Sequence, residues 1–334
     1  MLSKKIAIDL GTANSLVYVS GKGVVLKEPT VVAVSEEDDK IMAVGDEARD
    51  MMGKTPEGIV ATKPLRNGVI ADYLVTEALL RYFVGKAVGR SRLIKPDIMI
   101  SIPAGATSVE ARAVLEAAYS AGARKAYLMP EPLAAAIGAG LPISEPSGNM
   151  IVNIGGGTTE IAIVSLYGMV VHGSIRTGGN NLDEAITLYV RRNYGLVIGP
   201  NTAEKVKMTI GAAQPMQKNK SMEVKGRDSI SGFPKTINLT STEVVSCLDS
   251  SLNSIAAGVK SVLENTPPEL SSDIIDKGIV LSGGSAMLKN IDKYISTYTG
   301  VPVHLADDPL YCVVKGLGRA LENLDIFSKS MLKR

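Results

Sequence analysis

Two stretches of this 334-residue chain share one design, and that repeat constrains the fold more than any other feature. Ile6–Val19 reads IAIDLGTANSLVYV and Ile151–Val164 reads IVNIGGGTTEIAIV. Each starts as an apolar strand, reaches a polar residue (Asp9, Asn153), turns through glycine and hydroxyls, and leaves as a second strand. Copies about 145 residues apart imply two similar half-domains, each presenting a hairpin turn to a shared cleft. The length agrees, since domains of roughly 150 residues give two here, enough to bury a large core.

Between the copies the pattern alternates. Ile6–Leu10, Leu16–Ser20, Thr30–Val34 and Ile41–Val44 are Val- and Ile-rich runs bounded by Gly, Asp or Pro, and read as strands. Val75, Ala78, Leu79, Tyr82 and Phe83 put one apolar face on a helix. Strand Asp97–Ile102 follows, then a helix capped by Thr107 or Ser108 through Ala121, strand Lys125–Met129 and a small-residue helix through Ala139. This order predicts a sheet covered by helices. A Pro- and Ser-bearing seam, Gly140–Gly148, precedes the second copy. Beyond it the spacing predicts helices over Asn181–Tyr194, Thr202–Gly211 and Thr242–Glu264. The last of these has its seam on Val245, Leu248, Leu252, Ile255, Val259 and Val262. Residues 214–238 read as a short hairpin, Gly278–Leu281 as a strand, and Ala286–Thr297 as a helix.

Composition removes several function classes. Lys and Arg number 36 against 34 Asp and Glu, a net charge of +2, which argues against a nucleic-acid coat. With no Trp and three Phe, an aromatic platform for single strands is not expected. Cys247, Cys312, His172 and His304 are too few for a disulfide framework or a Cys/His metal centre. No apolar run of signal-peptide or membrane-spanning length occurs, so a cytoplasmic, soluble or peripheral protein is expected.

The two turns are candidate phosphate loops. Gly11, Thr12, Ala13 and Asn14, and Gly155, Gly156, Gly157 and Thr158, free backbone N–H groups to face an anion. One such turn is ordinarily just a turn; two, each preceded by a polar residue where a metal-bound water can sit, favour phosphate. Ala48–Thr55 nearly fits the Walker pattern but has helical spacing before Gly53 and Pro56 after it, so it is rejected. Gly283 and Gly284, between a strand and a helix, fit a nucleotide-edge contact or a plain strand-to-helix turn. Glu204 and Lys207, three apart on a helix, could reach a ribose or base, or simply pair with each other. Glu131, at a strand-to-helix junction, either orients an attacking water or stabilises a helix N-terminus. Leu93 and Ile94 among Arg90, Arg92 and Lys95 read as a solvated loop or as a membrane-surface contact.

These features together resemble the bacterial actins of the MreB family over essentially the whole chain. The resemblance is carried by Ile8–Asn14, Gly68–Asp72, Glu131–Gly138, Gly155–Glu160, Thr202–Lys207, and Thr266–Leu270 with Ser282–Gly284. It implies an α/β actin-like fold of two duplicated domains clasping ATP and Mg²⁺. Domain I would be 1–142 plus 310–334, with a small subdomain at about 33–65. Domain II would be 143–309, with a small subdomain at about 182–242. By motif position, Gly11–Asn14 and Gly155–Thr158 would hold phosphates, Glu204 and Lys207 the ribose and adenine, and Gly283, Gly284, Ser285 and Met287 the adenine side. Asp9, and more weakly Asn153, would contact Mg²⁺ through water. Glu131 would position the attacking water, with Thr158 beside it. Leu93 and Ile94 match a membrane-inserting loop.

The function so implied is a filament-forming cytoskeletal ATPase on the inner face of the cytoplasmic membrane that organises cell-wall elongation and cell shape. Its partners would be its own copies, in paired protofilaments, and cell-wall elongation proteins, with no nucleic acid. A sugar-kinase-type phosphotransferase and a non-polymerising ATP sensor are the alternatives; a chaperone ATPase would need a substrate-binding domain as well. Three departures from the family pattern remove acidic charge near the cleft: Asn153 in place of Asp, Gly178–Asn181 in place of an acidic pair, and Pro130 in place of Glu. Hydrolysis is therefore expected to be slow.

Overall fold

The computed structural model describes residues 4–38, 40–89, 95–328 and 330–331. The sequence repeat becomes a repeat of topology. The first large sheet contains β1 (Lys5–Leu10), β2 (Asn14–Val19), β3 (Gly23–Pro29), β4 (Asp97–Ile102) and β5 (Lys125–Pro130), in the order β5-β4-β1-β2-β3. The second contains β6 (Asn149–Ile154), β7 (Thr159–Ser165), β8 (Gly168–Ile175), β9 (Ile279–Ser282) and β10 (Val303–Leu305), in the order β10-β9-β6-β7-β8. In both, an antiparallel three-strand meander is extended by two parallel strands beside its first strand. Each half adds a small three-stranded sheet, built from Val32–Ser35, Ile41–Val44 and Ile59–Thr62 in the first and from Leu196–Val197, Ser221–Asp228 and Pro234–Thr240 in the second.

The central strands are apolar at almost every position because both faces are covered. On β1 and β4, Ile6, Ile8, Ile98 and Ile100 pack outward on α1 (Tyr73–Val88) and α2 (Ser108–Ser120), meeting Leu79, Leu80 and Phe83. The intervening residues Ala7 and Met99 point to the opposite face. The second sheet does the same: Met150, Val152, Ile154, Ile161 and Ile163 enter the outer core, while Ile151, Ala162 and Val164 face inward.

Helix ends follow their capping chemistry. Asp72 accepts from the Val75 N–H at 3.1 Å, and Thr107 and Glu110 form a reciprocal capping box. A second box, Thr240 with Glu243, starts the helix Ser241–Glu264, whose buried seam begins at Val244, with Val245 half-buried beside it. Val244, four residues before Leu248, takes the core place that the spacing assigns to Val245. The predicted helix Ala286–Thr297 is two pieces, a 3₁₀ turn at Gly284–Met287 and a helix at Ile291–Thr299. Asn290 between them takes a left-handed conformation that ends one and starts the other. Gly53–Thr55 follows the short helix Asp46–Met51 and opens no helix, as its rejection as a Walker motif requires.

The two inward faces meet on a middle layer of two helices, α3 (Glu131–Gly138) and α4 (Cys312–Glu322). Leu133, Ala134, Ile137, Val313 and Leu317 join Ala7, Met99, Ile151 and Val164 in one core. These helices touch backbone to backbone. A side chain at Gly138 would overlap the carbonyl of Cys312, and one at Gly316 would overlap the carbonyl of Ala134. Neither obstacle is a flexible tip that could swing away. Gly316→Ala is therefore expected to destabilise the protein by roughly 1–3 kcal/mol, the usual cost of overpacking a tight core. The check is the thermal midpoint by circular dichroism, and an unchanged midpoint would mean that the helices are free to part.

Candidate functional site

The two hairpin turns face each other at the carboxyl ends of β1 and β6. A side chain built on Gly156 would come within 2.5 Å of the Ala13 methyl, and one on Gly157 within 2.7 Å of Thr12 Oγ1. Only residues without a Cβ let the turns approach this closely. Four carbonyl oxygens of the turns are engaged by the protein. Thr30 donates to Gly11 O and Ala13 O, Ser285 Oγ and the Gly179 N–H donate to Gly155 O, and the Asn180 N–H donates to Gly156 O at 2.7 Å. Occupying the backbone acceptors in this way suits the site to an anion.

The repeat reaches one layer deeper. Ser101 Oγ, on β4, donates to Asp9 Oδ1 at 2.9 Å; Ser282 Oγ, on β9, donates to Asn153 Oδ1 at 3.1 Å. Each serine lies on the parallel strand beside the one carrying its partner. Comparing those parallel neighbours in the sequence would have found both serines.

A cavity of 330 Å³ lies over the turns. It is lined by Asp9, Gly11, Thr12, Ala13, Asn14, Glu131, Asn153, Gly155, Gly156, Gly157, Thr158, Glu204, Lys207, Gly283, Gly284, Ser285 and Met287. Of the candidate residues, Leu93 and Ile94 lie outside the described residues. The cavity also takes in Lys27, Asn180, Asp183, Lys289 and Leu310, which sequence reasoning did not single out as ligand contacts.

Lys207 and Glu204 do not pair with each other. Lys207 Nζ contacts the Asp183 carboxylate at 2.8 Å and donates to Gly179 O at 3.0 Å, so it ties its helix, Pro200–Ile210, to the start of the helix Gly179–Tyr194. Asp183 and Lys207 are 24 positions apart on different helices, and no local spacing announces such a pair.

Beneath the turns sits a buried carboxylate group: Asp9, Glu131 and Glu160. Burial raises the Asp9 carboxyl to about 6 against the opposing pull of the Ser101 hydroxyl. Burial, with the charges of Glu160 and Asp9, holds Glu131 well above the carboxylate range. Glu160 is also raised by burial, although Ser174 Oγ at 2.6 Å and the Ala104 N–H at 3.0 Å donate to it. The Ala104 bond crosses from the first half to the second. This arrangement can bind an anion at the turns, answer a cation at the carboxylates, and hold a polar molecule near Glu131.

Comparison with known proteins agrees with this construction. The MreB/Mbl protein family model matches residues 3–329. The cell shape-determining protein MreB of Escherichia coli strain K12 is 48% identical over 332 residues, covering 98% of this chain and 95% of that protein. The cell shape-determining protein Mbl of Bacillus subtilis strain 168 is 46% identical over 332 residues, covering 99% of this chain and all of that protein (100%). The crystal structure of MreB5 of Spiroplasma citri bound to AMPPNP superposes with a TM-score of 0.93 at 38% identity, over 98% of this chain and 99% of that one. The MamK double helical filament shares the fold, with a TM-score of 0.80 at 22% identity over 96% of this chain and 99% of that one. With an actin-like fold and a family match that spans nearly every residue, the chain belongs to the MreB/Mbl family.

Proposed function

We propose that this protein is an ATP-binding bacterial actin that polymerises into membrane-associated filaments and organises cell-wall elongation and cell shape. The observation that carries the reading is the contact of two glycine turns from two homologous halves above buried carboxylates. The nucleotide-bound states of Spiroplasma citri MreB5, with AMPPNP and with ADP, support it, as do the cell-shape roles in the names of the MreB and Mbl relatives. The proposed domains are 1–142 with 310–334, and 143–309, with the cleft between them.

In this reading Thr12–Asn14 and Gly156–Thr158 hold the phosphates. Glu204, Lys207 and the Gly284–Met287 turn hold the nucleoside, and Glu131 with Thr158 orients the attacking water. The residues fit a hydrated magnesium ion: Asp9 is a buried carboxylate lining the cavity, and Asn153 mirrors it. Mg²⁺ would supply charge neutralisation at the phosphates. Leu93 and Ile94 would meet the membrane. They are a weak anchor singly, and a filament that repeats them makes a strong one. A head-to-tail contact that does not close yields such a filament.

Asn153 accepts a hydrogen bond without charge, so it polarises its surroundings less than a carboxylate would, and hydrolysis is slow. Asn153→Asp should raise phosphate release at saturating Mg-ATP several-fold; equal rates in the two proteins would remove this explanation.

The raised carboxyls also set a pH dependence. Native Asp9, Glu131 and Glu160 keep protons that the unfolded chain has already released, so their contribution to stability is fully present below the ordinary carboxylate range. It is lost as the pH rises through about 6 for Asp9, and the raised Glu131 and Glu160 carboxyls add to the loss in the same direction. Nucleotide-free protein should therefore melt at a higher temperature at pH 6 than at pH 7.5, with a smaller difference in Asp9→Asn.

High-speed sedimentation over a protein concentration series, with and without Mg-ATP, tests the whole reading. The expected result is a sharp critical concentration that ATP lowers. Failure to pellet with ATP binding intact would instead favour the phosphotransferase or sensor reading.

A further inference from the structure

Residues 63–68 join the small sheet of the first half, through its last strand Ile59–Thr62, to the body of that half. They run directly over the phosphate turns. The Gly68 N–H donates to Thr12 Oγ1 at 2.9 Å. A side chain on Gly157 would lie 3.0 Å from Asn67 Cα, so the segment also rests on the second turn. At its head, Lys63 Nζ reaches across the cleft to Asn180 Oδ1 at 3.4 Å. Asn180 in turn donates its backbone N–H to Gly156 O at 2.7 Å. A chain of contacts therefore runs from the first small sheet, through Lys63 and Asn180, to the second phosphate turn.

The charges around Lys63 belong to the opposite half. Its ammonium is held down by burial and supported by the negative charges of Glu204 and Asp183. Asp183 is itself paired with Lys207 at 2.8 Å, and the Lys207 ammonium opposes that of Lys63. Glu204 lines both the main cavity and a second hollow of 390 Å³ that has Met52 and Lys63 on one side and Asn180, Asp183 and Glu184 on the other. Lys63 thus stands where the two small lobes approach each other, at the edge of the nucleotide cavity.

We propose that Lys63 is a cross-cleft latch: by holding Asn180 of the opposite half, it keeps the lobes closed over bound nucleotide and sets the rate of nucleotide release. This rests on the nucleotide reading given above. Lys63 is a positioning residue, since it acts through the lobes and through Asn180. Opening the cleft breaks the latch, whereas entry of nucleotide into an already open cleft does not meet it. Its loss should therefore raise the dissociation rate and leave the association rate unchanged.

The test is stopped-flow displacement of a fluorescent ATP analogue, with Mg²⁺, from the full-length protein. Lys63→Met and Asn180→Ala should each speed release about tenfold, the scale of a charge-assisted hydrogen bond. The double variant should be no faster than either single one, because both remove the same contact. Lys63→Arg should stay within about twofold of wild type, since it keeps the charge and the reach. Unchanged release from Lys63→Met, or fully additive effects in the double variant, would overturn the latch. If Lys63→Met fails to fold, Asn180→Ala against Lys63→Arg carries the same comparison. Wild-type protein that does not bind the analogue at all would overturn the nucleotide reading, and the latch with it.

Discussion

The contact between the helices at Gly138 and Gly316 sets the distance on which the rest of the molecule depends. With no side chain between them, the middle layer is as thin as two helices allow. The sheets on either side are thereby held close enough for their hairpin turns to touch. Gly156 and Gly157 are glycines for the same reason one layer up: the spacing fixed below leaves no room for a Cβ above. Overpacking the helices and crowding the turns are then two forms of one disturbance, felt at opposite ends of a lever.

The duplication supplies geometry, and the differences between its copies supply chemistry. Both halves place a polar residue before the turn and a serine on the neighbouring parallel strand. Only the first half keeps a carboxylate there. Glu131, at the start of the helix Glu131–Gly138, enters the cavity from the middle layer, where burial and the charges of Glu160 and Asp9 raise its carboxyl. The second turn is held by neutral hydrogen bonds from Ser285, Gly179 and Asn180.

Much of this was legible in the sequence because period and glycine spacing are local signals. The strand Ile41–Val44 and the strand Asp97–Ile102 have the bounds their composition predicts, and the two turns were located from the repeat. What was not legible depends on contacts between distant segments. The pairing of Lys207 with Asp183 joins two helices, and the bond from Ala104 to Glu160 joins the two halves. The break at Asn290 escaped notice because the apolar spacing on either side continues a helical rhythm across it. In the long helix Ser241–Glu264, Val244 and Val245 lie four and three residues before Leu248, both on its side of the helix, and only the packing of the second half decides that Val244 is the buried one.

The turns meet where Gly156 lies against Ala13 and Gly157 against Thr12, so the seam between the two halves runs through the turns themselves. A group that touches both turns bridges that seam. Any relative movement of the halves therefore changes the shape of the cavity above the turns, and filling that cavity restrains the movement in return.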